Sequence, residues 1–370
     1  MTIEKIANAM DGWEDEATSS ELISERSSYL NSLGIEQRRV LLVGGSGYIG
    51  SVITRDLLNA GYLVRNLDKN IFANGFVPRS FINEQHYEFV YGDIRDEAIM
   101  EAALDSVTDV VILAGLVGDP ITKKYPEESL AVNGHGVRRL IDGLDGRGLQ
   151  NVIFVSTCSN YGLMPEGVLA TETSPLSPLS TYAEEKVAAE GHLLGKAGAV
   201  DYDATALRFA TAFGLSPRMR FDLTVNQFTV ELMRDDELLV FDADTWRPYC
   251  HVKDFSRLIR RVMELPNERS SFQVFNAGGD DNNATKQMII DMVLKEVPEG
   301  KVRYQDHGSD PRNYRVDFSL VREHFGFVPA WSITDGIEEI AQAARSGFFE
   351  LNEDEDQQQF GNYKITGLDS

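Results

Sequence analysis

Thr157, Tyr182 and Lys186 are the residues whose types and spacing could move a proton on an alcohol. Tyr182 and Lys186 stand one helical turn apart in the run Tyr-Ala-Glu-Glu-Lys, so a helix would place both on one face. A phenol of pKa ~10 is a poor base at neutral pH. An ammonium one turn away, with a cationic nicotinamide ring nearby, stabilises the phenolate and lowers that pKa. Thr157 follows an apolar run at 152–155, which as a strand would deliver the hydroxyl at its end. That hydroxyl can share the alcohol's proton while the alcohol carbon passes a hydride to the cofactor. A tyrosine and a lysine at this spacing are most often plain surface residues, so the pair gains weight only if the chain also builds a nicotinamide site.

The stretch that would build it lies upstream. Val-Leu-Leu-Val at 40–43 suits a strand buried on both faces, and it breaks into glycines at Gly44, Gly47 and Gly50. Tyr48, Ile49, Val52, Ile53 and Leu57 then recur at helical spacing. Glycines keep the turn tight and let a pyrophosphate approach the backbone, while Ser46, Gly47, Tyr48 and Ile49 bring N–H groups to the helix start. A second apolar run at 62–67 ends in Asp68, about eighteen residues beyond Gly50, where an acid that hydrogen-bonds an adenosine ribose belongs. A carboxylate repels a 2′-phosphate, so NAD is expected over NADP. Lys69 beside it weakens that preference.

These pieces need a scaffold, and the pattern supplies one. Strand-like runs at 87–91, 110–113 and 152–155 alternate with helical stretches at 129–144 and 182–194, which predicts a doubly wound α/β fold of Rossmann type around a parallel sheet. Beyond about Leu207 prolines divide shorter pieces, and a smaller mixed α/β substrate-binding region is expected to cover the cleft. The expected organisation is an N-terminal extension at 1–37, an NAD-binding domain at 38–207, a mainly substrate-binding region at 208–348 with some segments returning to the first domain, and an acidic polar tail at 349–370. In the extension, Ile23, Tyr29, Leu30 and Leu33 could form amphipathic turns or belong to a loosely ordered arm. The tail's run at 350–359 reads as solvated, and its last residues carry no signal.

Composition narrows the function. The chain has 370 residues, 42% hydrophobic, with no apolar run long enough to span a bilayer. Its start lacks a basic region followed by an apolar core. A soluble, cytoplasmic protein is expected, and two cysteines, Cys158 and Cys250, are too few for a disulfide framework or a zinc site. No metal site is expected. The formal charge of −23 argues against nucleic acid as a partner, so any phosphate site must be local. The acidity itself reads as solubility or adaptation to salt. His192 and His251 read as packing residues.

With those motifs in place, the sequence resembles the extended short-chain dehydrogenase/reductase family, in particular its NAD-dependent nucleotide-sugar epimerases and dehydratases, over residues 39–348. Gly44, Gly47 and Gly50 match its glycine motif, and Thr157, Tyr182 and Lys186 match its hydroxyl, tyrosine and lysine. Asp93 and Ile94 resemble its adenine-contacting pair, Leu113-Ala114-Gly115 the strand end beside the cofactor, and Asn133 with Gly136 its Asn-x-x-Gly. The resemblance implies a nucleotide-diphosphate sugar as substrate and a homodimer built on the helices that hold Arg138 and Tyr182. It places substrate contacts at Thr157, Thr211, Arg218 and Arg247, with Arg312 or Arg315 as a second phosphate ligand. There are departures. The family's dehydratases carry Asp-Glu directly after the catalytic threonine, where this chain has Cys158-Ser159, so elimination lacks its acid and base. Thr211 stands where many sugar epimerases have an asparagine. The expectation is an epimerase that passes through a transient 4-keto sugar by reversible hydride transfer. The alternatives are a 4-keto-sugar reductase or dehydrogenase with net hydride transfer and, lower still, a dehydratase or a non-catalytic NAD-binding protein.

Overall fold

The computed structural model describes residues 38–72, 76–234, 237–265, 270–306, 308, 310–349, 360–362 and 365. The expected N-terminal extension and the polar run at 350–359 lie outside the described residues.

In chain order the first half runs β1 (Arg39–Val43), α1 (Tyr48–Asn59), β2 (Leu63–Asp68), β3 (Tyr87–Tyr91), α2 (Glu97–Leu104), β4 (Asp109–Ile112), α3 (Val137–Asp142), β5 (Asn151–Thr157), β6 (Leu169–Ala170), α4 (Thr181–Leu194) and β7 (Asp203–Phe209). A parallel sheet takes the order β3-β2-β1-β4-β5-β7, with β11 (Gln273–Ala277) added beyond β7. The inner strands β1 and β4 are apolar because both faces are covered. Alternate residues of β1 show this directly: Val40 and Leu42 pack with Ile53 and Leu57 of α1 and with Phe255 and Leu258 of α6 (Val252–Glu264). Leu41 and Val43 pack on the opposite face with Met100 of α2, Leu140 of α3 and Leu193 of α4. The result is a Rossmann α/β fold. The chain leaves β1 toward β2 on one side and reaches β4 on the other, and a crevice opens at that switch point beyond the carboxyl ends of the strands.

The sheet continues past Leu207, since β7 runs to Phe209, and α6 and β11 return to it from the second half. Most of the remaining elements form a smaller mixed layer: β8 (Thr211–Phe213), α5 (Thr224–Met233), β9 (Glu237–Phe241), β10 (Trp246–His251), β12 (Asn283–Thr285), α7 (Lys286–Glu296), β13 (Lys301–Gln305) and α9 (Ile333–Arg345), while β14 (Arg315–Val316) and α8 (Ser319–Phe325) pack with the core of the main sheet. The layer's own core gathers Phe213, Phe228, Tyr249, Ile290 and Ile337. Among the described residues, no helix is long and apolar enough to cross a membrane.

Candidate active site

A cleft of about 590 Å³ opens over the carboxyl ends of β1, β4 and β5. Its floor is the turn after β1, where two of the three glycines are required for separate steric reasons. Gly44 has φ +89°, and a Cβ there would lie 2.8 Å from the Ala114 nitrogen. At Gly50 a Cβ would lie 2.7 Å from the Gly44 carbonyl oxygen, so strand and helix could not pack this closely. Gly47 caps α1 without a side-chain hydrogen bond, and no acidic residue stands in the first turn. The helix therefore points an uncapped, positively polarised end at the cleft, which suits the pyrophosphate of a dinucleotide.

At one end of the floor, Asp68 lines the cleft. Its carboxylate accepts from the Ser46 N–H at 2.9 Å and the Asn70 N–H at 2.7 Å, so Ser46 serves to anchor Asp68 and is not itself in the cleft wall. Burial pushes the Asp68 carboxyl up, opposed by those N–H groups and by the Arg218 guanidinium. Asp93 and Ile94 line the same end. Hydrogen bonds from Arg95 hold Asp93 far below the usual carboxylate range, with Lys69 adding to the effect. Leu113, Ala114 and Gly115 form the wall beside the floor. Asn133 sits behind it in a π-helical turn, Leu130–Gly136. It accepts from the Leu116 N–H at 2.7 Å and donates to the Leu116 carbonyl at 3.0 Å, which fixes the loop without reaching the cleft.

At the other end stand Thr157, Tyr182 and Lys186, all in the cleft wall. Ser180 starts α4 by accepting from the Ala183 N–H at 3.3 Å. The helix is then locked to the strand ends by Glu190, a buried acid that takes Ser156 Oγ at 2.7 Å and the Arg208 guanidinium. That lock sets Tyr182 opposite the end of β5. Thr157 Oγ accepts from the Ser159 N–H at 3.1 Å, which leaves its own proton to donate. Lys186 Nζ donates to the Val155 carbonyl at 2.8 Å, and burial pushes it down to about 8 against the pull of Glu185 and Glu190. A buried ammonium of this kind gains most from an anion beside it.

The residues after Thr157 differ in character from each other. Ser159 lines the cleft. Cys158 is turned away and buried, its thiol donating to the Arg208 carbonyl, and burial pushes that thiol far above the usual range.

The arginines expected at a diphosphate separate into distinct places. Arg247 and Arg312 both line the cleft and share Asp310, at 3.1 Å from Arg247 Nη2 and 2.7 Å from Arg312 Nε. Arg315 does not reach the cleft wall and lies over the Trp246 ring at 5.0 Å, so of the two alternatives Arg312 is the one at the cleft. Arg218 is at the Asp68 end, over the Phe72 ring at 4.9 Å, and not with Arg247. Thr211 lines the cleft.

Several cleft residues were not anticipated. Met219 and Phe221 turn into a core cluster while Arg218, Arg220 and Asp222 face the cleft. This alternation in Arg-Met-Arg-Phe-Asp was a readable signal. Arg220 is paired with Asp222 at 2.6 Å and interacts with the Tyr182 phenol. Burial pushes Asp222 up, but the charge and hydrogen bonds of Arg220 outweigh it and the net shift is down. In the C-terminal segment, where the sequence carried no signal, Phe360, Gly361, Asn362 and Ile365 pack onto the protein, and Asn362 lines the cleft. Its partners are distant in sequence, so nothing local announced it. Among the described residues, no group of His, Cys, Asp or Glu is arranged to hold a metal ion.

The glycine turn, the strand-end acid and the Thr, Tyr and Lys constellation define a nicotinamide dinucleotide enzyme of the short-chain dehydrogenase/reductase class. The model of the NAD dependent epimerase/dehydratase family matches residues 40–278, and the chain belongs to that family. It is 24% identical to the UDP-glucose 4-epimerase of Corynebacterium glutamicum, covering 83% of this chain and 99% of that one. It is 29% identical to the dTDP-glucose 4,6-dehydratase of Streptomyces griseus, covering 80% and 91%. Among solved structures, the dTDP-glucose 4,6-dehydratase DesIV of Streptomyces venezuelae, determined with NAD bound, superposes with a TM-score of 0.76 at 24% identity, over 84% of this chain and 99% of that one. Similar proteins thus include both epimerases and dehydratases.

Proposed function

We propose that this chain is an NAD-dependent nucleotide-sugar epimerase acting through a transient 4-keto sugar. The observation that carries the reading is the end of β5. Cys158-Ser159 puts a buried, protonated thiol and a neutral hydroxyl where elimination would need one group to remove the C5 proton and another to protonate the departing C6 hydroxyl. The carboxylates Asp222 and Asp310, also at the cleft, are held below the usual range by Arg220 and Arg312. Both stay ionised and neither can donate that proton. The dehydratase reading draws on the similarity to dehydratases, and the site's own residues weigh against it.

In this reading the turn at Gly44, Gly47 and Gly50 together with Asp68 would hold NAD, which would supply reversible hydride transfer at the sugar C4. Tyr182 takes the C4 hydroxyl proton and later gives it back to the same oxygen. Thr157 donates a hydrogen bond to that oxygen, and Lys186 offsets the phenolate charge. Arg247 and Arg312 suit the diphosphate as guanidinium forks on an otherwise acidic protein. The same proposal includes a cytoplasmic homodimer through the helices that carry Arg138 and Tyr182.

The test is isotopic. With a nucleotide-hexose in deuterated water, the epimer is expected with its ring carbons unlabelled, because hydrogen returns from the cofactor and not from solvent. Deuterium at C5 or C6 with loss of water would overturn the epimerase reading. Stoichiometric release of NADH with a sugar acid or a stable ketone would instead establish net oxidation.

A further inference from the structure

The described part of the C-terminal segment lies across the dinucleotide cleft and is tied down on both sides of it. On the side of the second region, the Phe221 N–H donates to the Phe360 carbonyl at 2.6 Å and Arg218 Nη2 to the Gly361 carbonyl at 3.2 Å. Arg218 in turn interacts with Asp68, so this anchor stands at the end of the cleft where an adenosine ribose belongs. On the side of β4, Asn362 Nδ2 donates to the Val117 carbonyl at 2.8 Å. Ile365, buried, continues into a cluster with Leu116 and Ile121, against which Ile71 and Phe72 pack. Those residues belong to the connections that follow β2 and β4, the two strands that flank β1, with Ile121 in a short helix at 119–124. Ile365 therefore bridges the connections on either side of the glycine turn.

Asn362 is only 4% exposed and lines the cleft. Its Nδ2 must face Val117, because a carbonyl accepts and cannot donate, and that fixes the direction of Oδ1. Oδ1 is buried without a hydrogen-bond partner. A buried acceptor left unpaired is costly, and a ligand donor in the cleft would satisfy it.

We propose that Phe360–Asn362 is part of the cofactor site, with Asn362 Oδ1 accepting a hydrogen bond from a ribose hydroxyl of the dinucleotide. The segment forms the outer wall over the glycine turn, and it makes the cofactor slow to leave. This rests on the family's dinucleotide and not on which sugar reaction follows.

The test measures cofactor binding without substrate. The Asn362→Ala protein is expected to bind NAD about five- to tenfold more weakly, the size of one lost hydrogen bond, with the KM for nucleotide sugar unchanged. A chain shortened to end at 349, checked for folding by circular dichroism, should release NADH at least tenfold faster in stopped-flow fluorescence. The wild-type dissociation rate in both proteins would overturn the proposal. An Asn362→Ala protein with normal NAD affinity and a raised sugar KM would also overturn it, placing Oδ1 on the substrate. Should the shortened chain fail to fold, Asn362→Ala and Phe360→Ala decide by the same measurement.

Discussion

Tyr182 and Lys186 are paired less by their spacing than by what holds each one. Lys186 is bonded to the Val155 carbonyl and pushed down to about 8 by burial, so its charge is most stable with a phenolate close by. The expected outcome for Tyr182→Phe is a turnover lower by roughly 10²–10⁴, the worth of acid–base assistance. NAD affinity should stay nearly unchanged, since the ring remains. Steady-state rates beside a binding titration read this out, and near-normal turnover would remove Tyr182 from the proton transfer. At this scale the sequence was legible where partners are close along the chain: the glycines, Asp68, and the Tyr and Lys one turn apart. The alternation that turns Arg220 and Asp222 to one side was readable, but the approach of Arg220 to the Tyr182 phenol was hidden because the two are far apart in sequence. Cys158 shows the same limit. Its type was readable, but its burial against Arg208 depends on β7 pairing with β5.

Elements were legible where a strand forms a continuous apolar run, as in β1 and β4. The run at 87–91 coincides with β3, and the run at 110–113 is shifted from β4 by one residue toward the C-terminus, a slip common where a strand ends in a loop. The return of α6 and β11 to the sheet was not readable in detail, because a parallel strand finds its neighbour through a long crossover. Contacts between such elements also set acid stability. Glu339 on α9 accepts from the Leu215 N–H at 2.7 Å and lies 2.7 Å from His251 Nε2 at the end of β10. The His251 ring accepts from the Lys253 N–H at Nδ1, so its proton sits on Nε2 and is donated to Glu339. Burial pushes Glu339 up, but His251, Leu215 and Lys253 outweigh it and carry it down to about 2 from an ordinary 4.5. With the folded value below the unfolded one, this stabilisation is present above about 4.5 and fades as pH falls toward 2. Glu339→Gln should therefore lower stability at neutral pH by about 1–3 kcal/mol and flatten the fall between those two values. Urea unfolding across that range checks it, and identical pH slopes in both proteins would refute the assignment.

For the molecule as a whole, the deciding quantity is the surplus of 58 acidic over 35 basic residues. Some of these charges are out of reach of salt. Arg38 with Asp109 and Arg208 with Glu190 are buried pairs, and screening by mobile ions hardly touches them. Others form exposed pairs, such as Arg303 with Glu237 and Arg322 with Asp280, each worth little and weakened by salt. Basic residues are too few to pair with every carboxylate, since 58 acids face 35 bases. With a formal charge of −23, the net long-range term is repulsion that folding concentrates into a smaller volume. Salt shortens the screening length from about 30 Å at 0.01 M to about 10 Å at 0.1 M, so it removes repulsion between distant carboxylates before it weakens contact pairs. Raising sodium chloride from 10 mM to 500 mM is therefore expected to shift the melting temperature upward, by roughly 1–3 °C if about 1 kcal/mol is recovered. Chloride is the salt to use, since sulfate stabilises proteins by exclusion from the surface whatever their charge. A melting temperature that falls as chloride rises would mean that the exposed ion pairs outweigh the repulsion, and that the acidity is a property of the surface with no cost to the fold.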